Sequence, residues 1–165
     1  MEKFLNKISE YHFIQTIVPG IIFTYFSKIF YDVNLFTEKP IYDFIIMLII
    51  GLIISRIGSL IVEPVLQKTK ILNFCKYSDY IQASQKDSII KNLSETNNLY
   101  RVIIAAFFSI LLEKFYLFLL KEFVWLNDWS YLILSISAIV LFIFSYRKQT
   151  KYINERVDKA LNKSE

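Results

Sequence analysis

Four long apolar runs, separated by short polar or charged segments, set the pattern of this sequence. They cover residues 13–31, 41–62, 102–124 and 129–146. A helix needs ~20 largely apolar residues to cross the ~30 Å hydrocarbon core of a bilayer, and each run has about that length. Lipid offers the backbone no hydrogen-bond partners, so only helices and closed barrels cross it. The pattern predicts an all-α, polytopic membrane protein with four transmembrane helices.

The first run is the least apolar of the four. It contains Gln15 and Lys28, and the pair Pro19–Gly20 interrupts its middle. A helix that lies on the membrane surface, or one that is broken at the proline, is therefore an alternative for this run. Three spans is the corresponding alternative to four.

Positive charges are concentrated on alternate connections. The loop 67–100 and the tail 147–165 are rich in lysine and arginine, whereas the other two connections carry few. The positive-inside rule places both basic segments in the cytoplasm. Lys3 and Lys7 join them there only if the first run crosses. The prediction is a multi-pass protein of the inner (cytoplasmic) membrane, with its N and C termini cytoplasmic.

The loop 67–100 is the only sizeable cytoplasmic element predicted within this single membrane domain, 1–165. A helical stretch is predicted over about 78–93. Ser94 is a candidate N-cap for the helix that runs into the third span, because serine hydroxyls accept hydrogen bonds from free backbone N–H groups. The charges of the tail recur at helical spacing and predict that it extends the last helix.

Composition narrows the function classes. Three glycines and three prolines in 165 residues leave little turn chemistry for a β-rich fold. The single Cys75 and single His12 do not predict a disulfide or a metal site. The sequence contains no phosphate-cradling or zinc-binding motif. We therefore predict no enzyme activity, no cofactor and no metal.

Glu113 and Lys114 lie at the middle of the third run. An ionisable side chain there costs at least ~2.5–3.5 kcal/mol on insertion scales. Adjacent residues on a helix point ~100° apart, so each charge needs a partner on another helix, a water-filled cavity or a route to the interface. Arg56 on the second run is a candidate partner for Glu113. Two interpretations stay open: Glu113 lines an ion path or gate, or it forms an ion pair that fixes helix packing.

A polar stripe runs along the second span at four-residue spacing. Its members are Gly51, Ser55, Ser59 and Glu63, and Ser109 continues a similar register on the third span. Small residues let helices approach closely in lipid, which favours a packing face. The alternative is a pore lining with Glu63 as a cation-selecting charge at its mouth.

The basic loop mixes lysines with tyrosines. The candidates for binding an anionic signal are Lys68, Lys70, Lys76, Tyr77, Tyr80, Lys86, Lys91 and Arg101. Basic residues and aromatic rings together bind nucleotides or oligonucleotides by charge and stacking. Attraction of juxtamembrane lysines to anionic lipid explains the same pattern without a ligand.

Four stretches in the middle third of the chain resemble small membrane effectors of bacterial anti-phage defence operons. They are 55–59 (SRIGS), 63–64 (EP), 77–79 (YSD) and 94–101 (SETNNLYR). The similarity is to the channel-forming subunit of Hailong-type systems. It implies a homo-oligomeric channel, most simply a tetramer, held shut by an oligonucleotide that a partner nucleotidyltransferase makes. The expected activity is an abortive-infection ion channel gated by a cytoplasmic nucleotide or oligonucleotide. A small proton-coupled transporter and a holin-like or scaffold membrane protein are the alternatives.

Overall fold

A computed structural model describes the backbone of residues 2–161 and the side chains of residues 11–161. Helices and their connections account for this part of the chain, which contains no strand. The elements are α1 (Glu2–Tyr31), α2 (Pro40–Ile57), a π-helical turn (Gly58–Val62), α3 (Glu63–Lys68), α4 (Tyr77–Lys86), α5 (Ile89–Glu122) and α6 (Trp125–Leu161). The all-α prediction is confirmed.

Four stretches of helix are long and apolar enough to cross a membrane. They are Tyr11–Tyr31, Pro40–Lys68, Ile89–Glu122 and Trp125–Leu161. Three of them contain an apolar run completely, and Ile89–Glu122 contains the run 102–124 except for its last two residues, so the prediction of several membrane-spanning helices is confirmed. The second stretch is continuous through α2, the π turn and α3.

The first helix is not broken at its proline. α1 continues through Pro19, which is fully buried, and two residues on the same helix, Thr24 and Ser27, are also completely enclosed. The helix packs against both α2 and α5. Thr24 donates its hydroxyl hydrogen bond to the carbonyl of Gly20 at 2.9 Å, which satisfies a polar side chain within its own helix. The broken-helix alternative is therefore wrong.

Two glycines set the spacing between α1 and α2. A Cβ added at Gly20 would overlap the carbonyl oxygen of Met47, and one added at Gly51 would overlap the carbonyl oxygen of Thr16. The two backbones are thus in direct contact at this crossing. Small residues at helix crossings permit this approach in lipid, and any side chain here would push the helices apart.

The π turn has a covalent cause. Pro64 lacks the N–H that would bond to the carbonyl four residues earlier, and its ring clashes with that carbonyl. Just before Pro64, the backbone hydrogen bonds change from four-residue to five-residue spacing. The N–H of Glu63 donates to the carbonyl of Gly58, five residues back. Gly58 itself faces α5, where an added Cβ would lie 3.1 Å from the Cβ of Ala105.

The loop between the second and third spans departs from prediction in one respect. α4 ends at Lys86, and α5 begins at Ile89 with Ser88 as its N-terminal flanking residue. The break arises at Asp87, whose backbone is extended and whose carboxylate accepts the N–H of Ile89 at 2.8 Å. The assignment of Ser94 as N-cap is therefore wrong, because it lies inside α5. The continuous helix predicted over 78–93 is likewise divided at Asp87.

The tail extends the last helix, as predicted, with α6 reaching Leu161. In the apolar run of α6, 129–146, Ser145 is the one residue that is buried. Near its end, Lys159 donates to the carbonyl of Ser78. Tyr11 of α1 donates to the carbonyl of Glu95 at 3.2 Å, so the start of α1 and the end of α6 lie at one end of the bundle. We call this end, which includes α4, the basic end.

Replacing Gly51 by alanine should destabilise the bundle. The added Cβ overlaps the backbone of α1, and overpacking of this kind typically costs about 1–3 kcal/mol. Gly58→Ala is the matched control, because its Cβ meets a side chain at 3.1 Å rather than backbone. Thermal unfolding of the purified chain in detergent should show a clearly lower midpoint for Gly51→Ala than for Gly58→Ala. Equal midpoints would contradict the backbone contact.

Candidate ion path and polar cavity

Glu113 is held by one hydrogen bond between α1 and α5. Ser27 donates to its Oε1 at 2.5 Å, and Ser27 is completely enclosed in the bundle. The second carboxylate oxygen, Oε2, is buried and has no hydrogen-bond partner among the described residues. A carboxylate that is half satisfied in an apolar bundle is costly, so its second oxygen is an available site for a proton or a cation.

Arg56 is not the partner of Glu113. Gly58 faces Ala105 across the antiparallel α2 and α5. From that level, a rise of 1.5 Å per residue puts Glu113 about 9 Å beyond Arg56 along the bundle. The two side chains also face different elements, since Glu113 contacts Ser27 on α1 and Arg56 lines a cavity beside α6. The predicted ion pair is therefore wrong.

Lys114 turns away from Glu113. Its ammonium lies 5.1 Å from the centre of the Tyr31 ring, at the end of α1. A cation over an aromatic face is stabilised electrostatically. The lysine stem thus reaches toward the end of the bundle opposite the basic end, as expected for an aliphatic chain carrying its charge out of the apolar layer.

Glu63 is the centre of an ion network that joins three helical elements. Its Oε2 accepts from Nη1 of Arg101 on α5 at 2.7 Å, and its Oε1 accepts from Nζ of Lys148 on α6 at 3.0 Å. Lys148 also donates to the carbonyl and hydroxyl oxygens of Ser59 at 2.8 and 2.9 Å. The side chain of Glu63 is only 16% exposed. Because two cations neutralise it, Glu63 is not a free charge at a pore mouth.

The polar stripe is divided between two surroundings. Gly51 is in backbone contact with α1, which is the packing role. Ser55 and Ser59 instead line a cavity. Ser109 is buried and donates to the carbonyl of Ala105 at 2.8 Å, so its hydroxyl is satisfied within α5. The stripe is neither a single packing face nor a single pore lining.

The cavity has a volume of about 450 Å³ and lies where α1, α2, α5 and α6 meet. Its polar lining includes Gln15, Ser55, Arg56, Arg101 and Gln149. Apolar walls come from Leu52 and Phe142. Glu113 is not among the residues that line this cavity.

Some of the signal-binding candidates are already engaged in contacts within the chain. Arg101 is committed to Glu63. Tyr77 stacks on Tyr80 with ring centres 6.3 Å apart and contacts Tyr152 of α6 at 4.9 Å, so its ring is used in packing. The remaining candidates are distributed along α3, the following loop, α4 and the first turn of α5, at Lys68, Lys70, Lys76, Lys86 and Lys91.

The sequence analysis did not identify the residues of α6 that contribute to the cavity and to the ion network. Ser145, Lys148 and Gln149 all face the other helices at the basic end. Their three- and four-residue spacing was the available signal, since it places polar groups on one helix face. Ser27 was missed because a single serine in an apolar run does not indicate which residue it contacts.

Comparison of the chain with protein-family models, with curated proteins and with solved structures found no match. In the described part of the chain, no three His, Cys, Asp or Glu side chains lie close enough to share a metal ion.

The Glu63–Lys148 pair should couple strongly in a double-mutant cycle. The side chains are 16% and 25% exposed, and a hydrogen bond between charged groups at such a site contributes about 1–3 kcal/mol. Detergent unfolding of Glu63→Gln, Lys148→Met and the double variant measures this coupling.

The matched control cycle uses Lys151 and Glu155. This pair is 3.8 Å apart with side chains 74% and 39% exposed, so its coupling should be about 0.5 kcal/mol or less. A Glu63–Lys148 coupling as small as that of the control would show that the network does not hold α6 in place.

Proposed function

We propose that this chain is the subunit of a homo-oligomeric ion channel of the cytoplasmic membrane. The observation that supports it is the buried carboxylate of Glu113, with Oε1 bound to Ser27 and Oε2 unpartnered. Intramembrane carboxylates that face a bundle interior mark ion and proton paths by default. In the assembled channel, a cation or a water molecule that reaches Oε2 would be the partner that the described residues do not provide.

One copy of the chain does not enclose a continuous path. The space between the helices is filled by a buried cluster that includes Ile54, Ala105 and Ala106, with Ile22 and Phe108 packed against it. Conduction therefore requires a pore formed between copies, and the partly exposed side chain of Glu113 would lie beside it. A tetramer is the assembly that the resemblance to Hailong-type channel subunits implies.

The basic end is the proposed cytoplasmic face. The loop 67–100 and the C-terminal tail carry most of the lysines and arginines, and the positive-inside rule orients such segments inward. The resemblance adds an abortive-infection role and a nucleotide or oligonucleotide that gates the channel. Because Tyr77 packs on Tyr80 and Tyr152, we assign the first attraction of that ligand to the exposed lysines of 68–86.

Neutralising Glu113 should change the current. In planar bilayers, wild-type oligomer is expected to give discrete openings, and Glu113→Gln should alter single-channel conductance at least twofold, because a negative charge beside the path is removed. Glu122→Gln is the matched control. It is an exposed carboxylate at the end of the same helix, and its conductance should stay close to that of the wild type.

Two results would contradict this proposal. One is an oligomer with verified helicity that remains silent under every condition that releases the proposed signal. The other is a wild-type current that Glu113→Gln leaves unchanged. The second result would return Glu113 to a packing role while keeping conduction itself.

A small proton-coupled transporter is the second candidate. The same unpartnered oxygen of Glu113 suits proton exchange at mid-membrane, which carriers use to couple substrate movement to a pH gradient. Vesicles loaded with a pH-sensitive dye distinguish the two. A channel should pass ions down a potential with no imposed pH gradient. A carrier should show proton movement only with its substrate, and that movement should disappear in Glu113→Gln but persist in Glu122→Gln.

A further inference from the structure

Among the described residues, the lining of the polar cavity at the basic end carries positive but no negative side chains. The guanidinium groups of Arg56 and Arg101 both line it, and none of the described residues that line it is a carboxylate. Arg101 is paired with Glu63 through one guanidinium nitrogen. Arg56 has no ion pair among residues 11–161, although it is partly buried.

With no acidic partner among residues 11–161, the guanidinium of Arg56 is available to bind an anion. The positive charge of Arg101 at the same cavity repels that of Arg56, and a bound anion would relieve this repulsion. Arginine presents a planar fork of donors that matches phosphate and carboxylate oxygens bidentately. The hydroxyl of Ser55 and the amide of Gln149 line the same cavity and provide further donors.

The cavity lies at the depth of lipid headgroups. Arg101 comes directly before the apolar run 102–124, and Gln149 comes just after the apolar run 129–146. Leu52 and Phe142, which lie farther into their runs, give the cavity an apolar wall toward the membrane centre. Charged and polar residues next to apolar ones suit a phosphate group that is attached to an acyl chain. Basic pockets between helices on the cytoplasmic side of a membrane bind such headgroups.

We propose that this cavity binds a phosphate group, with Arg56 as its main ligand. In the membrane, the phosphate is that of an anionic phospholipid. The volume of about 450 Å³ accommodates a headgroup and leaves the acyl chains outside, along Leu52 and Phe142. This site is separate from Glu113 and does not depend on whether the chain conducts ions.

The test uses the purified full chain in detergent and native mass spectrometry. The probes are phosphatidylglycerol, diacylglycerol as the matched lipid without phosphate, and glycerol 3-phosphate as the matched phosphate without acyl chains. Wild type should bind phosphatidylglycerol at least tenfold more tightly than diacylglycerol. Arg56→Gln should lose at least tenfold of that affinity, and Arg56→Lys, which keeps the charge, should lose less.

Arg147→Gln is the control variant, because Arg147 is an exposed arginine on α6 that does not line the cavity. Its affinity should stay within about twofold of wild type. Tighter binding of glycerol 3-phosphate than of phosphatidylglycerol, lost in Arg56→Gln, would support the phosphate site and assign it to a soluble ligand. Equal binding of phosphatidylglycerol and diacylglycerol by wild type would overturn the proposal, whatever the variants do. So would an Arg56→Gln variant of native helicity that retains wild-type affinity.

Discussion

The arrangement of the basic end depends on the ion pairs that the carboxylate of Glu63 forms. This carboxylate joins α3 to α5 through Arg101 and to α6 through Lys148. The most apolar stretch of α6 has no fully buried residue, so these polar contacts are an important part of what holds α6 to the other helices. The Lys148 ammonium adds two oxygens of Ser59 to the network. Without Glu63, both cations would remain in a partly enclosed site, at a cost larger than the loss of either pair.

The position of Glu63 is itself a consequence of Pro64, of Gly51 in α2 and of Gly58 in the π turn. The π turn forced by Pro64 rotates the following residues relative to an ideal helix, and Gly58 lets α5 approach closely at the same level. The contact of Gly51 with α1 fixes the other side of α2. Backbone features therefore determine where the charges meet, and they leave the cavity beside Arg56 on the remaining side.

Much of the fold follows directly from the sequence, because a bilayer allows few kinds of backbone structure to cross it. Run length predicted the four long helices, and charge spacing predicted the extension of α6. Helix packing was less accessible. The Arg56–Glu113 pair failed because depth along a span says nothing about which face of a helix a residue occupies. Ser94 failed as a cap because Asp87, a few residues earlier, already provided a local acceptor for a backbone N–H.

The sites were only partly accessible for a related reason. Glu113 was identifiable because a carboxylate in an apolar run is conspicuous, but its partner Ser27 was not, since serines occur in spans for many reasons. The stripe from Gly51 to Glu63 was visible as a period, yet its members serve three purposes: backbone contact, cavity lining and an ion network. Periodicity identifies a face of one helix, whereas the role of each residue is set by the neighbouring helix.

In the proposed channel, the charges of Glu113 and Arg56 would have opposite effects on ions. Cations that move past Glu113 would also move past the basic end, where Arg56 without a bound anion would repel them. A phosphate held by Arg56 removes that repulsion and leaves Glu113 as the dominant charge along the path. A path for anions would instead be favoured by an empty cavity and opposed by Glu113. If the chain forms the proposed channel, occupancy of the Arg56 cavity would therefore influence its ion selectivity through electrostatics alone, with no movement of the helices required.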